Sequence, residues 1–214
     1  MNARKITYGG LLIAMAILLP QAFHLTGFQQ SGQIFLPMHI PVLLSGFILG
    51  PMFGMCVGAI SPVISSLLTA MPAPDRLPFM IIELAAYGLM AGLLYEKAGL
   101  RKNRFGIIVS LIGAMIFGRI MYALSLFVAC DIFGLAGVGA IGAVNATVKG
   151  IYGILLQLVI IPPIVFALEG KAVIGYEGKD YELSEGECFR FEKNGLHSVT
   201  ANGKFKMALL LVLE

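Results

Sequence analysis

The stretch FLPMHIPVLLSGFILGPMFGMCVGAISPVISSLLTAMP, residues 35–72, decides the fold. It holds two apolar runs, 36–49 and 51–69, that meet at Gly50-Pro51 almost without a loop, and it carries no Lys, Arg, Asp or Glu. A helix rises about 1.5 Å per residue and the hydrocarbon of a bilayer is about 30 Å thick, so a span takes roughly 20 residues. The run 51–69 meets that length. The run 36–49 is short and broken by Pro37 and Pro41. Irregular backbone at membrane depth is tolerated only where protein or an aqueous cavity surrounds it, so 36–41 reads as a cavity wall.

Working outward, further apolar runs lie at about 6–24, 77–96, 105–129 and 145–168, giving six spans. The whole chain agrees: of 214 residues, 58% are hydrophobic and 13% charged, against about 45–50% and 25% in a soluble domain. Charge is also unevenly spread. Residues 1–168 hold nine Lys/Arg and four Asp/Glu, and 169–214 hold six and eight. The reading is an all-α membrane bundle of six transmembrane helices, residues 1–168, plus a small C-terminal all-β appendage, residues 169–214. No basic run with interleaved aromatics points to nucleic acid. Cys56, Cys130 and Cys188 are too far apart to read as a disulfide framework or a metal site.

Six spans put both termini on one side. With the N-terminus inside, Arg4, Lys5, Lys97, Arg101, Lys102, Arg104 and Lys171 fall inside, against Arg76 and, at most, Lys149 outside. That bias predicts a multi-pass protein of a bacterial-type cell membrane with a cytoplasmic N-terminus and tail.

Three ionisable residues stand inside apolar runs: Glu83, Arg119 and Lys149. Each costs a few kcal/mol in hydrocarbon unless paired or wetted, and all three fall in the outer half. Asn145 and Lys149 share a helix face at i, i+4, and Arg119 and Tyr122 share one at i, i+3. His39, Tyr87 and Gln157 are polar companions at comparable heights. Two readings follow: a polar cavity that binds a small solute, or a buried Glu83–Arg119 pair that only fixes packing. Gln157, deeper and alone, reads as an interhelical hydrogen bond. Small residues four apart, at Gly10 and Ala14, Gly54 and Gly58, and Gly88 and Gly92, suit close helix packing.

No HExxH, GxSxG or Walker motif occurs, nor a paired-carboxylate centre, so no enzyme is expected. Without an ATP site or an ion-coupling chain, such a protein binds a solute and needs a partner to pump it.

Residues 35–72, with Glu83-Leu84-Ala85-Ala86-Tyr87-Gly88 and Gly118-Arg119, resemble the substrate-binding S components of energy-coupling factor (ECF) transporters. The resemblance spans roughly 5–168. It implies a six-helix bundle that binds a vitamin or related micronutrient at the outer side. It also implies docking on a transmembrane coupling subunit driven by two cytoplasmic ATPases, toppling in the membrane to release cargo, and no cofactor for binding. It places the pocket at Glu83, Arg119, Tyr122, Asn145 and Lys149; His39, between two prolines in the broken span, is a further ligand candidate from its position alone. It puts the docking face on the first helix, where Gly10-Leu11-Leu12-Ile13-Ala14 stands in place of an AxxxA pair. The alternative function is a stand-alone membrane sensor whose tail signals occupancy.

In the tail the period turns to alternation, with turn signals at Glu177-Gly178-Lys179, Ser184-Glu185-Gly186, Lys193-Asn194-Gly195 and Ala201-Asn202-Gly203. LSEGECFRFEKNGLHSVTANGKFKMALLLVL, residues 183–213, resembles half a cupin through Gly186 and His197. Glu192 replaces the usual proline and Asn194 the second glycine. With one histidine, no metal is expected there.

Overall fold

The computed structural model describes residues 3–25, 31–102, 105–134, 139–168, 172–176, 178–183 and 197–201. Their main helices are α1 Ala3–Leu25, α2 Ser31–Phe35, α3 His39–Leu49, α4 Pro51–Thr69, α5 Leu77–Gly92, α6 Gly106–Leu126, α7 Gly139–Lys149 and α8 Ile151–Leu168. Three strands follow: β1 Ala172–Tyr176, β2 Lys179–Leu183 and β3 His197–Ala201. The chain divides into two compact units, Met1–Ile161 and Pro162–Glu214.

Among the described residues five stretches are long and apolar enough to cross a membrane: Ala3–Phe23, Gly32–Leu49, Pro51–Thr69, Leu77–Lys97 and Gly106–Cys130. A sixth appears if Ile141–Lys149 and Ile151–Val165, bent by 56° at Gly150, count as one. The apolar run read at about 145–168 is thus not one unbroken helix. The helix begins earlier, at Gly139, and turns at Gly150. Its backbone bonds survive the turn, since Gly150 N–H donates to Ala146 O and Ile154 N–H to Gly150 O, both at 3.0 Å. The bend falls at a glycine, and a methyl group there would lie 2.9 Å from Leu36 Cδ1 and 3.2 Å from Arg119 Nη2.

Helix α3 is the hub of the first unit. Two-thirds of the Gly32–Leu49 span is buried, against 22–39% of the other four. It ends at Gly50, whose φ of +92° suits a residue without Cβ. Pro51 then opens α4 at a first-turn position where its missing N–H costs nothing. The other helices turn apolar side chains outward, among them Leu18, Leu67, Ile141 and Val159, as lipid-facing surfaces do.

Helices α3, α4 and α5 touch backbone to backbone. A methyl group on Gly54 would sit 2.7 Å from Gly46 Cα and closer still to Gly88 O. One on Gly58 would meet Leu84 O, and one on Gly92 would lie 2.6 Å from Pro51 Cα. The small-residue pairs of spans three and four are therefore internal packing, the way helices gain contact where lipid supplies no hydrophobic drive. At the far end of α4, Ser65 Oγ donates to Met71 O at 2.7 Å and Ser66 Oγ to Pro72 O at 2.9 Å, holding the connection to α5.

In the second unit the strands form an antiparallel sheet of order β2-β1-β3. Tyr176 pairs with Lys179, and Gly178 between them has φ +78°, at the turn signal read from the sequence. Gly186, Cys188, Glu192 and Asn194 lie outside the described residues, and His197 opens β3.

Candidate functional site

The break between α2 and α3 brings the first polar group into the bundle. Leu36 is held at φ +49°, and Pro37 follows it. His39 begins α3 and is buried at 3% exposure. Its ring meets that of buried Tyr87 edge to face, with centroids 5.1 Å apart. Tyr87 stands one turn after Glu83 on α5, so the same face of α5 presents a carboxylate to His39. His39 Nε2 lies 3.8 Å from Glu83 Oε1.

Arg119 reaches the same carboxylate from α6. Its Nη1 stands 2.9 Å from Glu83 Oε1, a charge contact outside hydrogen-bond alignment, with 13% of the Arg119 side chain and 4% of that of Glu83 exposed. Gly118, the residue before it, lies flat against the Tyr87 ring, where a methyl group would be 2.8 Å from two ring carbons. Thus α5 and α6 approach closely enough for Arg119 to arrive at Glu83. Both ring nitrogens of His39, and Nε and Nη2 of Arg119, are buried without a hydrogen-bond partner. Ser110 Oγ, farther down α6, is also unpartnered.

Helix α8 and the bend before it close the group from the other side. Gly150 stands at the bend, and Gly153 and Gln157 follow at i and i+4 on one face of α8. Gly153 admits the backbone of Phe35, and Gln157 Nε2 donates to Leu36 O at 3.4 Å. So two broken spans, one at Leu36–Met38 and one at Gly150, meet beside Arg119.

The six candidate ligand residues do not all converge. His39, Glu83 and Arg119 come together, with Tyr122 half-buried one turn along α6. Asn145 and Lys149 are exposed on α7. Gly150 and Gly153 were missed in the sequence, since two glycines in apolar runs carry no chemical signal, whereas Leu36 opens the 36–41 stretch read as a cavity wall. Gln157 makes the interhelical hydrogen bond expected of it. Gly10 and Ala14 are exposed on α1, and a methyl group on Gly10 would meet nothing within 4 Å. Neither is buried, and no described atom fills the space in front of Gly10. Among the described residues no group of three or more His, Cys, Asp or Glu could hold a metal ion.

The family model for the ECF transporter, substrate-specific component, matches residues 4–165. The chain belongs to that family. Comparison with curated proteins gives no match. The matched segment takes in the His39–Glu83–Arg119 group and the first helix with its open small face. An S component is a transport subunit rather than an enzyme, and its apolar helices make this one a multi-pass membrane protein.

Proposed function

We propose that this S component captures a vitamin or related micronutrient from outside the cell. It then hands the solute to a transmembrane coupling subunit, energised by two cytoplasmic ATPases. The observation that carries this reading is the buried His39–Glu83–Arg119 group at the meeting of two broken spans, with four unpartnered polar atoms on His39 and Arg119. A purely structural ion pair needs neither the second break nor the unpartnered imidazole. Tyr122 lines the same pocket, and Asn145 and Lys149, exposed along α7, serve its entrance. The distribution of Lys and Arg supports an N-terminus and tail in the cytoplasm, with the pocket toward the outside. Gly10 and Ala14 form the docking face for the coupling subunit, and the binding step uses no cofactor.

The test is native mass spectrometry of freshly purified full-length protein, paired with co-isolation from cells that express a coupling subunit and its ATPases. Capture of that module and a carried small molecule of constant mass are the expected results. A protein that never associates with a coupling module overturns the transport reading.

A further inference from the structure

Arg119 uses one of its three nitrogens and keeps two in hand. Nη1 faces Glu83 Oε1 at 2.9 Å, while Nε and Nη2 are buried without a partner. The choice of atoms matters. In a guanidinium, Nε–H and the nearer N–H of Nη2 point the same way from one edge of the plane, matched to the two oxygens of a carboxylate or phosphate. Glu83 holds the opposite corner, so the two-pronged edge is intact.

The surroundings of that edge supply no acceptor of matching charge. Glu83 is engaged at Nη1, and the other acidic residues with described side chains in the first unit, Asp75 and Glu96, are exposed. Gly150 lies next to Nη2, where even a methyl group would come within 3.2 Å. Leu36, held at φ +49° in the break before α3, lies beside the same glycine. The carbonyl of Ala146 also borders Gly150 and accepts from Gly150 N–H at 3.0 Å. A charged donor edge buried without a partner is costly until an acceptor reaches it.

We infer that the Nε/Nη2 edge of Arg119 is the seat of an oxyanion on the solute, a carboxylate or a phosphate group. Gly150 brings no side chain to that edge, but a methyl group there would already lie 2.9 Å from Leu36 Cδ1, so the room for the oxyanion comes from a shift of Leu36. This rests on the proposed function and narrows it to acidic solutes.

The probes are sodium formate and sodium phosphate, each titrated into full-length protein in detergent with arginine labelled at Nε by nitrogen-15. The chain has six arginines, and the signal missing in Arg119→Lys is that of Arg119. The Arg119 Nε–H signal should move downfield and saturate with one oxyanion, separating a carboxylate seat from a phosphate seat. Formamide, and sodium chloride at matched ionic strength, should leave it in place. Gly150→Ala should weaken the response at least tenfold, with the helical circular dichroism unchanged. If neither oxyanion moves the signal, or formamide and chloride move it equally, the seat is disproved. Should Gly150→Ala misfold, Leu36→Ala takes its place, and there tighter oxyanion binding is expected; unchanged binding removes Leu36 and Gly150 from the proposal. Co-isolation with a coupling module is independent of these results, so the transport reading can stand while the oxyanion seat falls, and the reverse.

Discussion

The side-chain amide of Gln157 donates to the carbonyl of Leu36 across 3.4 Å, joining α8 to the break that precedes α3. Gln157 is 1% exposed, so this bond forms away from water. Gln157→Leu should lower stability by about 0.5–1.5 kcal/mol, the range for interhelical hydrogen bonds in membranes. Thermal unfolding followed at 222 nm measures the change. Leu36 O also accepts from His39 N–H at 3.0 Å, so a variant as stable as the parent would mean that this bond alone suffices.

The contact of Gly54 with Gly88 predicts sharp intolerance. Ala at either position drives a methyl group into backbone that has no rotamer to change. Gly88→Ala should cost at least about 2–3 kcal/mol and shift the protein to aggregates on size exclusion. Gly10→Ala, with nothing within 4 Å, should run as the parent does.

Removing one half of a buried ion pair strands the other. Glu83→Gln alone should destabilise by about 3–5 kcal/mol, because the Arg119 charge then lacks its counter-ion. The double variant Glu83→Gln with Arg119→Met should recover most of that loss. A double-mutant cycle on thermal stability reads the coupling. Additive single losses would show that the 2.9 Å contact carries little energy.

Bulk on the open face of α1 should separate binding from transport. Ala14 is exposed, so Ala14→Leu leaves the bundle's own packing untouched. Solute binding by the purified protein is expected to match the parent while uptake in cells fails. Loss of both would show that Ala14 matters to the bundle itself.

Glu83 and Arg119 were legible as partners before any geometry, because two opposite charges inside apolar runs have few other ways to be stable. The tight turn at Gly50-Pro51 was equally legible, since proline starts helices and glycine admits the left-handed backbone. The bend at Gly150 was not. A glycine among apolar residues is compatible with a straight helix, and its packing against Leu36 and Arg119 shows only in three dimensions. For the same reason the shared face of Asn145 and Lys149 was readable from their spacing, but not which way that face points. Helical periodicity fixes neighbours along one helix and says nothing about rotation within the bundle. His39 needed its distance to Glu83. In the tail, the hairpin at Gly178 was carried by a turn residue, whereas the residues bearing the half-cupin resemblance fall largely outside those described.

The glycine contacts among α3, α4 and α5 also set where the bundle can give. A layer of side chains absorbs load by changing rotamers, but carbonyl packed on Cα has nothing to rearrange. These three helices therefore act as one stiff plate, with Glu83 and His39 mounted on it. Lys5 fastens the start of α1 to its edge through Leu49 O at 3.0 Å. Compliance is left to two joints, Leu36–Met38 and Gly150, both beside Arg119. Any opening large enough to change what Arg119 touches is expected at those two joints rather than within the plate.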